Sequence, residues 1–281
     1  MEGTLKFATR GSRLALRQFD IISKALVPFD MDIEPFLVES HGERDAETPL
    51  YDMKEQGIFV RRLNDMILDG EVEAAVHSAK DIPNEIDPRL DISFFSKRAD
   101  PRDYFISRES LKYFAGTTGS SSIRRKSFLN LYNRNLRFVN IRGNIDTRIR
   151  KWENGEVDSI VVAKAALDRL DISPMGEIIS EDICPPDPNQ GFVAIVTEKG
   201  SEVENKLKKI QDEASLWEAK NERELMVRLQ LGCNVAASIR AIYPEKRIKF
   251  AYANDEKRFD FSYVKSIEES DIKKLRDIIG S

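Results

Sequence analysis

LKFATRGSRLALRQFDIISKALVPFDMDIEPFLVES (5–40) is the stretch whose reading decides the fold. LKFAT (5–9) is a short apolar run of strand length. Ser12 then opens an amphipathic stretch with Leu16, Phe19 and Leu26 among its apolar positions. DIEPFLVES (32–40) reads as a second strand. Pro35 pushes that strand toward a sheet edge, because proline cannot donate to a ladder. Beyond it, Ile58, Val60, Leu63 and Ile67 recur at helical spacing over 58–69 and Gly70 ends them, while EAAVHS (73–78) is a third strand. Strand alternating with helix implies a parallel α/β sheet with helices on both faces.

The pattern then restarts. DYFIS (103–107), LRFVN (136–140) and DSIVVA (158–163) read as strands, with helical stretches around 122–132, 144–153 and 164–170. Cys184-Pro185-Pro186-Asp187-Pro188 is rigid punctuation, followed by a strand, GFVAIVT (191–197). Residues 201–231 are helix-rich. SIRAIY, RIKFAYA and FDFSYV are short strand candidates in the tail, which ends in the amphipathic DIKKLRDIIG. The expected division is a discontinuous α/β domain of 1–95 with 191–210, a second α/β domain of 96–190, and a small α+β domain of 211–281.

The chain has 281 residues, enough for two or three domains. Forty-four Lys and Arg against 48 Asp and Glu give a net charge of −4. That balance argues against general nucleic-acid binding, which needs a basic excess. Mean hydropathy is −0.43 and no apolar run reaches membrane-span length, so no membrane span is expected. The first residues lack an apolar signal core, and the only cysteines are Cys184 and Cys233; a reduced, cytoplasmic protein is expected. With His41 and His77 they match no zinc spacing, so no metal is expected there.

The arginines are unevenly placed. Arg10 follows the first strand, and Arg124 and Arg125 follow GTTGSSS (116–122). Arg142 follows LRFVN, with Arg148 further along, and Arg169 closes the helix after DSIVVA. In open α/β sheets ligands collect at the carboxyl ends of strands, and an arginine there suits carboxylates or phosphates. Singly, each arginine is better read as solvated and paired with a nearby acid; their recurrence at one topological place favours a site. VHSAKDIP (76–83) puts Ser78, Lys80 and Asp81 at a strand end, where an acid beside a lysine forms a salt bridge or stabilises a cation. His77 reads as a packed strand residue. Cys233, in LQLGCNVAAS beside Gly232, is either a small buried hydrophobe or a point of covalent attachment. Cys184 reads as structural.

ATRGSRLALRQ (8–18), VHSAKDIP (76–83), SSSIRRKSFL (120–129), IRGNIDTRIRK (141–151), AALDRL (165–170), NQG (189–191) and ERELMVRLQLGC (222–233) occur in this order. Together they make the chain resemble the porphobilinogen deaminase (hydroxymethylbilane synthase) family from about residue 5 to about residue 245. The resemblance implies two periplasmic-binding-protein-like α/β domains plus the small α+β domain. It implies a transferase of tetrapyrrole (haem or corrinoid) biosynthesis that joins four porphobilinogen units head to tail, losing ammonia each time, and releases hydroxymethylbilane with water. It also implies a dipyrromethane cofactor attached by a thioether to Cys233. Asp81 would be the catalytic acid-base group. Ser78, Lys80, Ser122, Arg124, Arg125, Arg142 and Arg148 would bind the cofactor. Arg10, Ser12, Arg169 and Gln190 would contact substrate or the growing chain. A cytoplasmic monomer is expected.

The sequence departs from the family pattern at several places. Gln56 stands where a loop lysine is frequent, with Lys54 two residues earlier. Asn189 precedes Gln190-Gly191 where glycine is usual, and Leu231 precedes Gly232-Cys233 in place of another glycine. Ala166 and Ala236 replace a glycine and a proline. The competing reading is a non-catalytic anion-binding protein, or an inactive relative.

Overall fold

The computed structural model describes residues 4–38, 57–232, 234–264 and 267–280. In chain order its first half holds β1 (Leu5–Arg10), α1 (Arg13–Leu26), β2 (Ile33–Val38), α2 (Ile58–Leu68), β3 (Ala74–Ser78), β4 (Leu90–Phe95), β5 (Asp103–Ile106), β6 (Gly116–Gly119), α3 (Ile123–Tyr132) and β7 (Leu136–Val139). The second half holds α4 (Ile145–Glu153), β8 (Ser159–Ala163), α5 (Lys164–Leu170), β9 (Gly176–Ile178), β10 (Val193–Glu198), α6 (Glu202–Ile210), α7 (Glu213–Arg228), β11 (Ala237–Ile242), β12 (Arg247–Ala253), β13 (Arg258–Val264) and α8 (Glu269–Gly280). Two compact units result: Met1–Ala99 with Gly191–Leu216, and Asp100–Gln190 with Trp217–Ser281.

The first unit carries a five-stranded sheet in the order β2-β1-β3-β10-β4. β2 is an edge strand, as Pro35 led one to expect. α1 starts where the Ser12 hydroxyl accepts from the Ala15 N–H at 3.3 Å. The helix buries Phe19, Ile22 and Leu26 in one cluster with Phe7, Val76, Ile195 and Leu207. Phe7 and Ala8 point to opposite faces of the sheet and both are fully buried, so both faces are covered.

The second unit carries a sheet in the order β7-β6-β8-β5-β9. Its two faces are separate cores. Phe105, Phe128, Leu129 and Val161 fill one; Ile106, Ile160, Val162 and Leu167 fill the other. A three-stranded antiparallel sheet, β11-β12-β13, belongs to the same unit. Ala251 and Ala253 of β12 pack in the Phe105 cluster, their small side chains allowing close approach. Leu225, Leu229, Phe250, Ile272 and Leu275 form the core of that antiparallel part.

Both five-stranded sheets are mixed, where the alternation predicts parallel ones. In the first, β1 is parallel to β2 and β3, while β10 is antiparallel to β3 and β4. In the second, β6 is parallel to β7 and β8, while β5 is antiparallel to β8 and β9. One strand in each sheet is therefore reversed, and in each case it is the strand by which the chain enters that unit from the other. A reversed strand brings its beginning to the carboxyl edge of its neighbours: Asp103 sits opposite Ala163, and Val193 opposite Ser78. Three further elements escape the sequence patterns. LDISFF is the strand β4, GTTG is the strand β6 and GEI is the strand β9.

Gly191 introduces β10 with φ +98°, and a Cβ on it would lie 2.6 Å from the Ala99 carbonyl oxygen. The Ala99 N–H donates to the Gly191 carbonyl at 3.1 Å, so neither backbone can retreat without breaking that bond. Gly191→Ala is expected to cost about 1–3 kcal/mol of stability. Gly155→Ala, at φ +76° with nothing within 4 Å, supplies the conformational part alone and should cost less. Equal urea midpoints for the two variants would show that contact with Ala99 contributes nothing.

Candidate functional site

In the first unit the expected residues collect at one edge of the sheet. Arg10 is the last residue of β1 and Ser78 the last of β3, and the two strands run parallel. Ala79–Asp81 forms a single 3-10 turn, held by the Ala79 N–H donating to the Phe192 carbonyl at 3.2 Å. That turn leaves Asp81 exposed and Lys80 half-buried. The Arg10 guanidinium lies 4.7 Å from the centre of the Phe59 ring. Ser12 uses a lone pair to cap α1; its O–H proton remains a donor.

His77, one residue before Ser78, is buried, with Nε2 3.0 Å from Asn64 Oδ1. Burial pushes its pKa down to about 3, so the ring is neutral near pH 7. It is a packed residue, as the strand pattern suggests, and Asn64 is the partner that the sequence did not reveal. The pair ties the end of β3 to α2.

In the second unit the Ser122 hydroxyl accepts from the Arg125 N–H at 3.3 Å and so begins α3. The preceding serines are bound into the fold. The Ser121 hydroxyl donates to the Ile141 carbonyl at 3.0 Å, and the Ser120 N–H donates to the Val139 carbonyl at 2.9 Å. Only Ser122 of GTTGSSS therefore opens the helix.

Arg124 and Arg125 both turn inward, and with Gln190 they converge on Asp103, which is 0% exposed. Arg124 Nη2 donates to Asp103 Oδ2 at 2.8 Å, and Arg125 Nη2 donates to Oδ1 at 2.7 Å. Gln190 Nε2 donates to the same Oδ1 at 2.9 Å. Arg124 also donates from Nε to Asp187 at 2.7 Å and from Nη1 to the Pro185 carbonyl and Cys184 Sγ. Burial alone would raise the Asp103 pKa, but the charges of Arg124 and Arg125 and their hydrogen bonds together hold it well below the carboxylate range. For Cys184 burial is the largest cause, and its thiol is pushed up to about 12. Cys184 is thus an unreactive packed thiol.

Behind Gln190, Glu222 of α7 is fully buried. It accepts from the Asn189 N–H at 2.6 Å and from the Ala241 N–H at 2.8 Å. Asn189 sits at φ +60°, a conformation that asparagine tolerates better than most residues. This accounts for asparagine serving where the family commonly has glycine.

Arg142 lies beyond β7, and its buried Nη2 has no hydrogen-bond partner among the described residues; the same holds for Arg125 Nε. Arg148 donates from Nε to the Gly143 carbonyl at 2.8 Å, at the start of α4. Arg169, in α5, is largely buried, and desolvation lowers its pKa to about 10, partly offset by Asp168. Buried guanidinium donors without acceptors are costly unless an anion completes them. The residues present therefore fit a carboxylate-bearing group. Cys233, Lys54 and Gln56 lie outside the described residues.

Asp103, Asp187, Glu222 and Asn64 were not singled out in the sequence. Asp103 had one available signal: an acid at the first position of a strand candidate, just after Asp100-Pro101-Arg102. The rule of searching after strand ends passes over it, because β5 is reversed.

Fold and side chains define a mixed α/β protein equipped to hold a carboxylate-rich ligand. A family profile described as porphobilinogen deaminase, dipyromethane cofactor binding domain, matches residues 5–206. A probable porphobilinogen deaminase of Picrophilus torridus is 41% identical over 239 residues, covering 84% of this chain and 85% of that one. One from Thermoplasma volcanium is 39% identical, covering 84% and 80%, and one from Pyrobaculum islandicum 37%, covering 88% and 85%. Among solved structures, the methionine-binding protein MetQ has 13% identity and a TM-score of 0.45, covering 78% of this chain and 94% of that one. The periplasmic VFT2 domain of Bordetella pertussis BvgS has 14% identity and a TM-score of 0.45, covering 80% and 92%.

The chain belongs to the porphobilinogen deaminase family. Its activity is that of a transferase of tetrapyrrole biosynthesis, and the matched domain binds the dipyrromethane cofactor. No helix among the described residues is long and apolar enough to cross a membrane.

The depressed His77 pKa has a consequence for stability. The folded value, about 3, lies below the unfolded value, 6.5. Between them the unfolded chain binds the extra proton, so stability is complete above about pH 6.5 and falls as the pH drops toward 3. At pH 5 this one group should cost about 2 kcal/mol. Urea midpoints measured from pH 7 to pH 5 should fall, and His77→Gln should flatten the decline. An unchanged slope in that variant would assign it to other groups.

Proposed function

We propose that the residues at these two sheet edges divide the work of the family's reaction as follows. Cys233 anchors the cofactor: its thiolate sulfur bonds to the methylene carbon of the aminomethyl group as the C–N bond breaks and ammonia leaves. Each added unit then exchanges one C–N bond for one C–C bond, releasing ammonia and the ring α-proton. The bound dipyrromethane supplies the pyrrole carbon to which the first incoming unit joins.

Asp81 has the exposure that its role requires. On the turn after β3 its carboxylate can accept pyrrole N–H groups and stabilise positive charge as ammonia departs. Ser78 and Lys80 flank it as donors for carboxylates. Arg125, Arg142 and Arg148, with the Ser122 hydroxyl, bind cofactor carboxylates; Arg124, which the resemblance also assigns to the cofactor, has its donors on Asp187, Pro185, Cys184 and Asp103 and serves that site by bracing Asp103. Arg10, Ser12 and Arg169 bind those of the incoming unit or growing chain. Gln190, fixed by Asp103, contacts substrate or the growing chain. The single observation that carries this assignment is that the buried Arg125 Nε and Arg142 Nη2 have no acceptor among the described residues.

The substrate is porphobilinogen, and the product after four additions and hydrolysis is hydroxymethylbilane. The protein acts as a cytoplasmic monomer, without nucleic acid. The domains of this reading are 1–95 with 191–210, 96–190, and the small 211–281 whose sequence includes Cys233, the last two sharing one compact unit from Trp217 onward.

Intact mass spectrometry tests the anchor directly. Wild-type protein exposed to porphobilinogen should carry a dipyrromethane adduct, and Cys233→Ser should carry none; an adduct retained in the variant would refute the anchor. Asp81→Asn should retain the adduct while turnover falls by about 100-fold or more, the loss expected for a catalytic acid-base group. Turnover close to wild type in Asp81→Asn would remove the residue from catalysis.

A further inference from the structure

We propose that Asp103 is a positioning residue for cofactor loading: it fixes the Arg125 guanidinium so that Nε–H faces a cofactor carboxylate. The inference rests on the reading above, in which Arg125 binds the cofactor.

The geometry separates two neighbouring arginines by what their donors do. Arg124 spends Nε, Nη1 and Nη2 on Asp187, Pro185, Cys184 and Asp103, and is 2% exposed. Among the described residues the Arg125 guanidinium is held at two points. Nη1 donates to the Val161 carbonyl at 3.0 Å and Nη2 to Asp103 at 2.7 Å, while buried Nε lacks a partner among the described residues. A planar guanidinium pinned at both Nη atoms has the direction of its Nε–H fixed. The acceptor at Nη2 is a full charge in a site without solvent, where a charge-assisted bond is strongest.

Charge balance supports the assignment. Asp103 and Asp187 face Arg124 and Arg125, two charges of each sign. Cys184 stays a neutral thiol, its pKa near 12, and Gln190 is neutral, so neither alters that balance. With the internal charges matched, an entering carboxylate is held by the orientation of Arg125 rather than by surplus positive charge. Asp103 also fixes Gln190 through the oxygen it offers Arg125, so both side chains share one anchor.

The test follows the rate at which apo-protein acquires dipyrromethane from porphobilinogen, read by intact mass and normalised to the folded fraction. Asp103→Asn should slow loading by about tenfold or more, the worth of a hydrogen bond to a charged group. If that variant does not fold, Asp103→Asn/Arg124→Met keeps the buried charges balanced and should show the same defect. In an Arg125→Leu background Asp103→Asn should slow loading by less than about twofold more, since positioning an absent guanidinium has no effect.

One arm needs no variant. On loading, the Arg125 Nε–H resonance of wild-type protein should shift, while that of Arg124, bonded to Asp187, stays in place. Wild-type loading in either Asp103 variant, a full additional loss in the Arg125→Leu background, or an unshifted Arg125 resonance would overturn the proposal. Failure of wild-type protein to acquire any adduct is a different result: it would refute the underlying functional reading.

Discussion

Asp103 is the constraint on which the second unit depends. A fully buried carboxylate is tolerable only when cations and hydrogen bonds replace the lost water. Arg124 and Arg125 supply the cations, and Gln190 supplies a third donor. The dependence is mutual, because two adjacent buried guanidinium groups at the start of α3 would repel each other without it. α3 therefore begins where it does for two reasons. Ser122 caps its first turn, and the carboxylate at the start of β5 draws its two arginines under the sheet edge.

The reversed strands explain how that carboxylate reaches the edge. The chain leaves one unit and enters the other at β5, then returns at β10, and each of these strands runs against its neighbours. A reversed strand puts its first residues where parallel strands put their last. Residues 100–103 and 189–193 thus lie at the carboxyl edges although they lead into and begin their strands. Glu222 acts on the second junction, bonding the Asn189 and Ala241 N–H groups and so connecting it to β11.

Much of this was legible in the sequence because it rests on local rules. The apolar spacing of α1 and α2, the edge placement of β2 through Pro35 and the serine caps all follow from a few neighbouring residues. The strand-end arginines were legible for the same reason. What was not legible depends on distant pairing. The direction of β5 and β10 is set by where the chain crosses between units. β6 is too short and glycine-rich to read as a strand until β7 and β8 flank it. Asp103 looked like one acid among 48, and only its burial opposite Ala163 distinguishes it.

Internal carboxylates also explain how a chain of net charge −4 can serve a polyanionic ligand. Net charge averages over surface groups that water and salt screen within about 10 Å, whereas buried donors are counted one by one. Every buried guanidinium hydrogen needs an acceptor, supplied by the protein or by a ligand. Where the protein supplies all of them, as for Arg124, no donor is left over. Where, among the described residues, it supplies some, as for Arg125, or leaves a buried Nη2 without one, as for Arg142, a donor is left over for an anion. The placement of acids such as Asp103 and Asp187 decides which arginines are left for the ligand. The acidic residues are in this sense part of the anion site.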